Sequence, residues 1–145
     1  MQTILSQSAG YLLSQAHRLL RAKVTEALEP LKLSLNEYVV LRLAFLRIPL
    51  NQGSLGELYG IDPSTMVFLI DGLEQADLLI RERNSSDRRR YQLVLTAKGN
   101  KVLTHAKRIV DKTQRKFLEP LDPAEWDAMR RALGKLIWRD ERPNN

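Results

Sequence analysis

Arg81, Arg83, Arg88, Arg89 and Arg90 crowd five cations into ten residues, against only Glu82 and Asp87. The chemistry open to such a run is anion binding. A guanidinium is permanently charged and offers a planar fork of donors matched to phosphate. A narrow DNA minor groove concentrates the negative potential that draws inserted arginine. A solvated loop is the plain alternative. Asp87 reads as an ion-pair partner that poses one of the arginines, not as a catalyst. Upstream, the hydroxyls of Ser64 and Thr65 are suited to phosphate or base edges, or only to starting a helix. Phe68, one helical turn on from Thr65, is either a core aromatic or an apolar surface for a thymine methyl.

Other chemistries find little footing. The chain has no cysteine, which removes disulfides, thiolate metal sites and thiol redox sensing. His17 and His105 are too far apart in sequence to advertise a zinc site, so no metal and no cofactor are expected. No nucleophile elbow, phosphate-cradling glycine loop or paired catalytic carboxylates stand out, so no enzyme is expected. The net charge of +6 favours a polyanionic partner. Polar Ser14, Gln15, His17 and Arg18 interrupt any signal-peptide core, and no run is long and apolar enough for a membrane span. A cytoplasmic protein of one domain over 1–145 is expected.

The elements that must position these residues are mostly helical. Leu12, Leu13, Ala16, Leu19, Leu20, Val24, Ala27, Leu28 and Leu31 recur in steps of three and four. They predict a long amphipathic helix from about Leu5 to Leu31, ended or bent by Pro30. Ser34 and Glu37 form a capping box ahead of a helix that presents Tyr38, Leu41, Phe45 and Leu46 inward and stops before Pro49. Asn51-Gln52-Gly53 is turn chemistry, and Ser54 to Tyr59 reads as a short helix closed by Gly60. Asp62 then caps a helix with Pro63 at its first position and Met66, Leu69, Ile70 and Leu73 on one face, running to about Ala76. The period changes to two from Leu78 to Arg83 and again from Tyr91 to Leu95. This predicts a hairpin with a charged tip over Asn84 to Arg90. Thr96 caps a second long helix, which Glu119-Pro120 ends. Asp122-Pro123-Ala124-Glu125 starts a last helix carrying Trp126, Met129, Leu133, Leu136 and Ile137. The tail from Arg139 reads as frayed.

Short helix, turn, capped helix and charged hairpin in succession make a winged helix-turn-helix. The fold class is mainly α with a small β-hairpin wing, flanked by dimerisation helices. Residues Ser34 to Gly99 resemble the core of the MarR family of transcriptional regulators. The resemblance runs through Leu55-Gly56-Glu57, Gly60-Ile61-Asp62-Pro63-Ser64-Thr65, Leu73-Glu74 and Leu78-Leu79-Ile80-Arg81. It continues in Ser86-Asp87-Arg88-Arg89 and Leu95-Thr96-Ala97-Lys98-Gly99. It implies a DNA-binding region over 34–99, dimerisation helices over 5–31 and 100–138, and a tail over 139–145. It further implies a homodimer on a pseudo-palindromic double-stranded operator, with Ser64, Thr65 and Phe68 at the major groove and Arg81, Arg88, Arg89 and Arg90 at the minor groove. Release by a small aromatic or anionic effector is also implied; His17 and Arg21, which share a helix face, are candidates for holding it, with surface residues the plainer reading. Trp126 and Trp138 are expected to anchor the dimer core.

The recognition helix departs from the family. Members commonly carry arginine where this chain has Phe68 and Gly72, and glycine where it has Asp77. No lysine or arginine lies between Ile48 and Ile80, whereas Glu57, Asp62, Asp71, Glu74 and Asp77 do. Bidentate arginine–guanine readout is therefore absent from this helix. Either hydroxyls, apolar contacts and groove shape read the DNA, or DNA affinity has weakened and the winged dimer serves as a protein-interaction module.

Overall fold

The computed structural model describes residues 2–47, 60–84 and 86–138. The short helix expected over Ser54–Tyr59, the Asn51-Gln52-Gly53 turn and the tail from Arg139 lie outside the described residues.

The N-terminal helix is interrupted near its start. A single turn, α1 (Gln2–Leu5), precedes α2 (Ala9–Leu28), where one helix from Leu5 was expected. Ser8 makes the break: its backbone is extended and its Oγ accepts from the Tyr11 amide at 3.3 Å, satisfying an otherwise orphaned donor. At the other end Pro30 sits in a 3-10 turn, Glu29–Leu31, followed by Lys32 in the left-handed region. The Ser34–Glu37 capping box forms in both directions, at 3.1 and 2.7 Å, and opens α3 (Leu35–Leu46).

The inward face of α3 needs correcting. Tyr38 and Leu41 are buried as expected, but Val40, Leu43 and Ala44 join them, while Phe45 and Leu46 are 58% and 52% exposed. The helix is apolar nearly all round, so periodicity alone does not choose a face.

Asp62 caps α4 (Pro63–Gln75), which buries Met66, Ile70 and Leu73 along one stripe and half-buries Leu69. Its end is a Schellman turn. The Leu78 amide donates to the Leu73 carbonyl at 2.9 Å and the Asp77 amide to Glu74 at 3.0 Å, with Asp77 at φ 60°. A left-handed residue here explains why glycine suits the position and why aspartate, one of the more tolerant non-glycine types, fills it.

The antiparallel hairpin pairs β1 (Leu79–Asn84) with β2 (Asp87–Leu95). Its tip is shorter than expected. Asn84 pairs with Asp87, and the register slips between Arg83 and Asn84, so Arg88, Arg89 and Arg90 take up the extra length of β2 rather than a loop.

Thr96 caps α5 (Ala97–Leu118), which buries Gly99, Leu103, Ala106 and Val110. Asp122 and Glu125 form a second capping box at α6 (Pro123–Ile137). The C-terminal half of α2, α3, α4, the base of the hairpin and α5 as far as Val110 enclose one core around Leu28, Leu41, Met66, Ile70 and Leu79. No residue of α6 is buried, and Trp126, Met129, Leu136, Ile137 and Trp138 are exposed on it or just beyond.

Candidate nucleic-acid interface

The start of α4 is held by one carboxylate. Asp62 Oδ1 accepts from the Thr65 amide at 2.9 Å and from Ser64 Oγ at 2.6 Å, while Oδ2 accepts from Thr65 Oγ1 at 2.5 Å. The Ser64 hydroxyl, then the Thr65 hydroxyl and amide, stabilise the charged form and hold the Asp62 carboxyl well below the usual carboxylate range. Both hydroxyls named from the sequence are thus brought together, each with its single hydrogen already donated to Asp62.

Phe68 is not a core aromatic. It stands 77% exposed, one turn beyond Ser64 and Thr65 and opposite the buried stripe of Met66, Ile70 and Leu73. Gly72 follows on the same outward face, and a Cβ added there would meet nothing within 4 Å. The outward face of α4 therefore offers a phenyl ring, bare backbone and no cation.

Arg81 lies elsewhere than at a free wing tip. It sits on the face of the hairpin that carries buried Leu79 and Leu93, and its guanidinium pairs with both Asp71 and Glu74 of α4. Partial burial works against its charge, but the bond to Asp71 and the charges of Glu74 and Asp71 outweigh that and raise its pKa. The sequence signal was present in the i, i+3 pair of acids, but the partner lies across a turn. Asp71 and Glu74 are consequently less repulsive to phosphate than their number suggests. Arg83 remains exposed on β1, and Arg88, Arg89 and Arg90 follow the tip on β2.

The C-terminal end of α4 is fastened to α5. Thr96 Oγ1 donates to the Asp77 carbonyl at 2.6 Å while accepting from the Gly99 amide at 2.9 Å. Lys98 Nζ donates to the Ala76 carbonyl at 2.9 Å, placing a cation at the negative end of the helix. The Leu95-Thr96-Ala97-Lys98-Gly99 segment is thus a joint between recognition helix and α5.

A cavity of about 280 Å³ opens between α3 and α5, lined by Arg42, Phe45, Leu103, Thr104, Lys107 and Arg108 among others. Lys107 pairs with Asp111 at 2.6 Å, which leaves Arg42 and Arg108 as the remaining lining cations. Beside it, the Gln92 amide on β2 donates to the Arg47 carbonyl at the end of α3, at 3.2 Å. Sequence reasoning missed this site because it assigned Phe45 to the core. His17 and Arg21 are exposed on α2 and line neither this cavity nor a larger one, about 530 Å³, between the C-terminal halves of α2 and α5. Among the described residues no group of side chains could hold a metal ion, and no helix is long and apolar enough to cross a membrane.

A sequence model of the MarR family matches residues 33–91. The HTH-type transcriptional repressor Rv2887 of Mycobacterium tuberculosis is 31% identical over 127 residues, spanning 88% of this chain and 91% of its own length. The crystal structure of CouR from Rhodococcus jostii RHA1 bound to p-coumaroyl-CoA superposes with a TM-score of 0.81 at 32% identity, covering 91% of this chain and 93% of that one. The complex of Rv2887 with DNA superposes at 0.75 and 28% identity, over 90% and 98% of the two chains.

Proposed function

This chain belongs to the MarR family, and from that premise we propose that it is a homodimeric DNA-binding transcriptional regulator, released from its operator by a small ligand. The observation that carries the reading is the exposed recognition helix α4, fastened at its C-terminal end to α5 and flanked by the arginine-rich hairpin. In this reading the outward face of α4, with Ser64, Thr65 and Phe68, enters a major groove. Arg88, Arg89 and Arg90, with Arg83, serve the adjacent minor groove. Arg81 sets the wing against α4 and shields Asp71 and Glu74 from the phosphates. We read the chain as a cytoplasmic regulator without catalytic activity.

The dimer rests on apolar surface that one protomer leaves open. Trp126, Met129, Leu136, Ile137 and Trp138 at one end of the chain and Ile4, Leu12, Leu13 and Leu19 at the other are all exposed. Surface of that extent marks an interface. We therefore assign 5–31 and 100–138 to dimerisation and 34–99 to DNA binding within a single domain.

The effector is an aromatic anion held in the Arg42–Phe45–Arg108 cavity, where a phenyl wall and two cations suit a ring with a carboxylate. Structures of Rv2887 with salicylic acid and CouR with p-coumaroyl-CoA support an aromatic ligand. Sequencing the genomic fragments that the purified protein retains tests the whole reading: a shared pseudo-palindrome is expected. Retention of no duplex at low salt would favour a protein-interaction module, to which the cation-free face around Phe68 is equally open.

A further inference from the structure

We propose that Asp62 sets the base preference of the recognition helix, by holding the hydroxyl hydrogens of Ser64 and Thr65 so that the helix meets DNA with lone pairs and a phenyl ring. The inference rests on the DNA-binding reading above and names what that surface selects.

A hydroxyl has one hydrogen and two lone pairs. Ser64 Oγ spends its hydrogen on Asp62 Oδ1 at 2.6 Å and Thr65 Oγ1 on Asp62 Oδ2 at 2.5 Å. What remains to face outward is acceptor only. In the major groove guanine presents N7 and O6 and thymine O4, all acceptors, whereas cytosine N4 and adenine N6 carry donor hydrogens. Phosphate oxygens are acceptors as well. On the strand it contacts, the start of α4 therefore favours an amino-bearing edge, cytosine or adenine, over guanine. Phe68, 77% exposed one turn further on, adds an apolar surface for a thymine methyl. With no lysine or arginine between Ile48 and Ile80, nothing on this helix restores a taste for guanine.

The inference differs from a capping role in what it expects of Asp62→Asn. Asparagine is as good an N-cap as aspartate, so the helix keeps its start. Its amide nitrogen donates where Oδ2 accepted. The Thr65 hydroxyl then accepts inward, and its hydrogen is free to point at the DNA.

The experiment is enrichment of duplexes with randomised half-sites by the parent, Thr65→Val and Asp62→Asn. The position whose selection disappears in Thr65→Val is the one Thr65 reads. The parent is expected to enrich one orientation of the base pair there, with the amino-bearing cytosine or adenine on the contacted strand, and Asp62→Asn to raise the reversed pair relative to the parent roughly tenfold, the worth of one well-placed polar base contact. An Asp62→Asn profile that binds DNA and keeps the parent's base-pair orientation at that position overturns the proposal. A Thr65→Val profile that matches the parent at every position overturns it too. A parent that retains no duplex at low salt fails the DNA-binding reading itself, which is a separate result.

Discussion

Gly99, in the first turn of α5, lies under the carbonyl of Leu78, the residue that closes the recognition helix: an added Cβ would stand 1.8 Å from that oxygen and 2.8 Å from its carbon. Only glycine lets the two backbones meet this closely. The contact packs the start of α5 directly against the turn that ends α4.

Gly99→Ala should therefore destabilise the fold by about 2–3 kcal/mol, because backbone rather than a flexible side chain must give way. Gly72→Ala is the counterpart. Gly72 is mid-helix with open space around it, so alanine should stabilise by roughly 0.5–1 kcal/mol through helix propensity. Urea midpoints of the two variants should move in opposite directions.

Arg81→Ala leaves Asp71 and Glu74 without their shared partner, beside the phosphates in the proposed DNA complex. The pair is part-exposed, so stability should fall by only about 1 kcal/mol. DNA affinity should fall for all sequences alike, and adding Asp71→Asn with Glu74→Gln should restore most of it. Fluorescence anisotropy on one duplex checks both steps; no recovery in the triple variant would return Arg81 to the role of a direct contact.

Stability against pH should report the Asp62 cap. Its folded pKa lies below the ordinary value, so its contribution is fully present above the unfolded pKa of about 3.9 and is lost as pH falls towards the folded one. The stability gap between parent and Asp62→Ala should be constant above about pH 5 and narrow below about pH 4. A gap that widens on acidification would contradict the assignment.

The proposed effector role of the Arg42–Phe45–Arg108 cavity is tested by calorimetry with salicylate. Arg42→Ala or Arg108→Ala should weaken binding roughly tenfold, the loss of one charge-assisted bond. Lys23→Ala and Lys116→Ala, at the larger cavity between α2 and α5, should leave it unchanged.

What was legible in the sequence was local. The caps at Ser34, Asp62, Thr96 and Asp122 form as their spacing dictates, because each needs only the next three residues. The face of α3 was not legible, since Val40, Leu43, Phe45 and Leu46 are equally apolar and only tertiary packing ranks them. The Ser8 break lies ahead of the apolar stripe, which begins at Leu12, so periodicity did not define the start of the helix. Hydrogen-bond polarity at Ser64 and Thr65 needed coordinates, as did the bond from Arg81 to acids on another element. In the hairpin, alternation located the strands, but the slip at Arg83–Asn84 that lengthens β2 leaves no compositional mark.

The salt dependence of DNA binding by the parent and by the Arg88→Ala/Arg89→Ala variant bears most directly on the wing as the source of affinity. With α4 bare of cations, phosphate neutralisation falls to the hairpin, and each arginine contributes about 0.9 to the slope of log affinity against log salt. The double variant should lose roughly 1 to 2 from that slope and bind more weakly across all sequences. An unchanged slope and unchanged affinity at about 0.15 M salt would contradict a DNA-binding wing and leave the protein-interaction reading in its place.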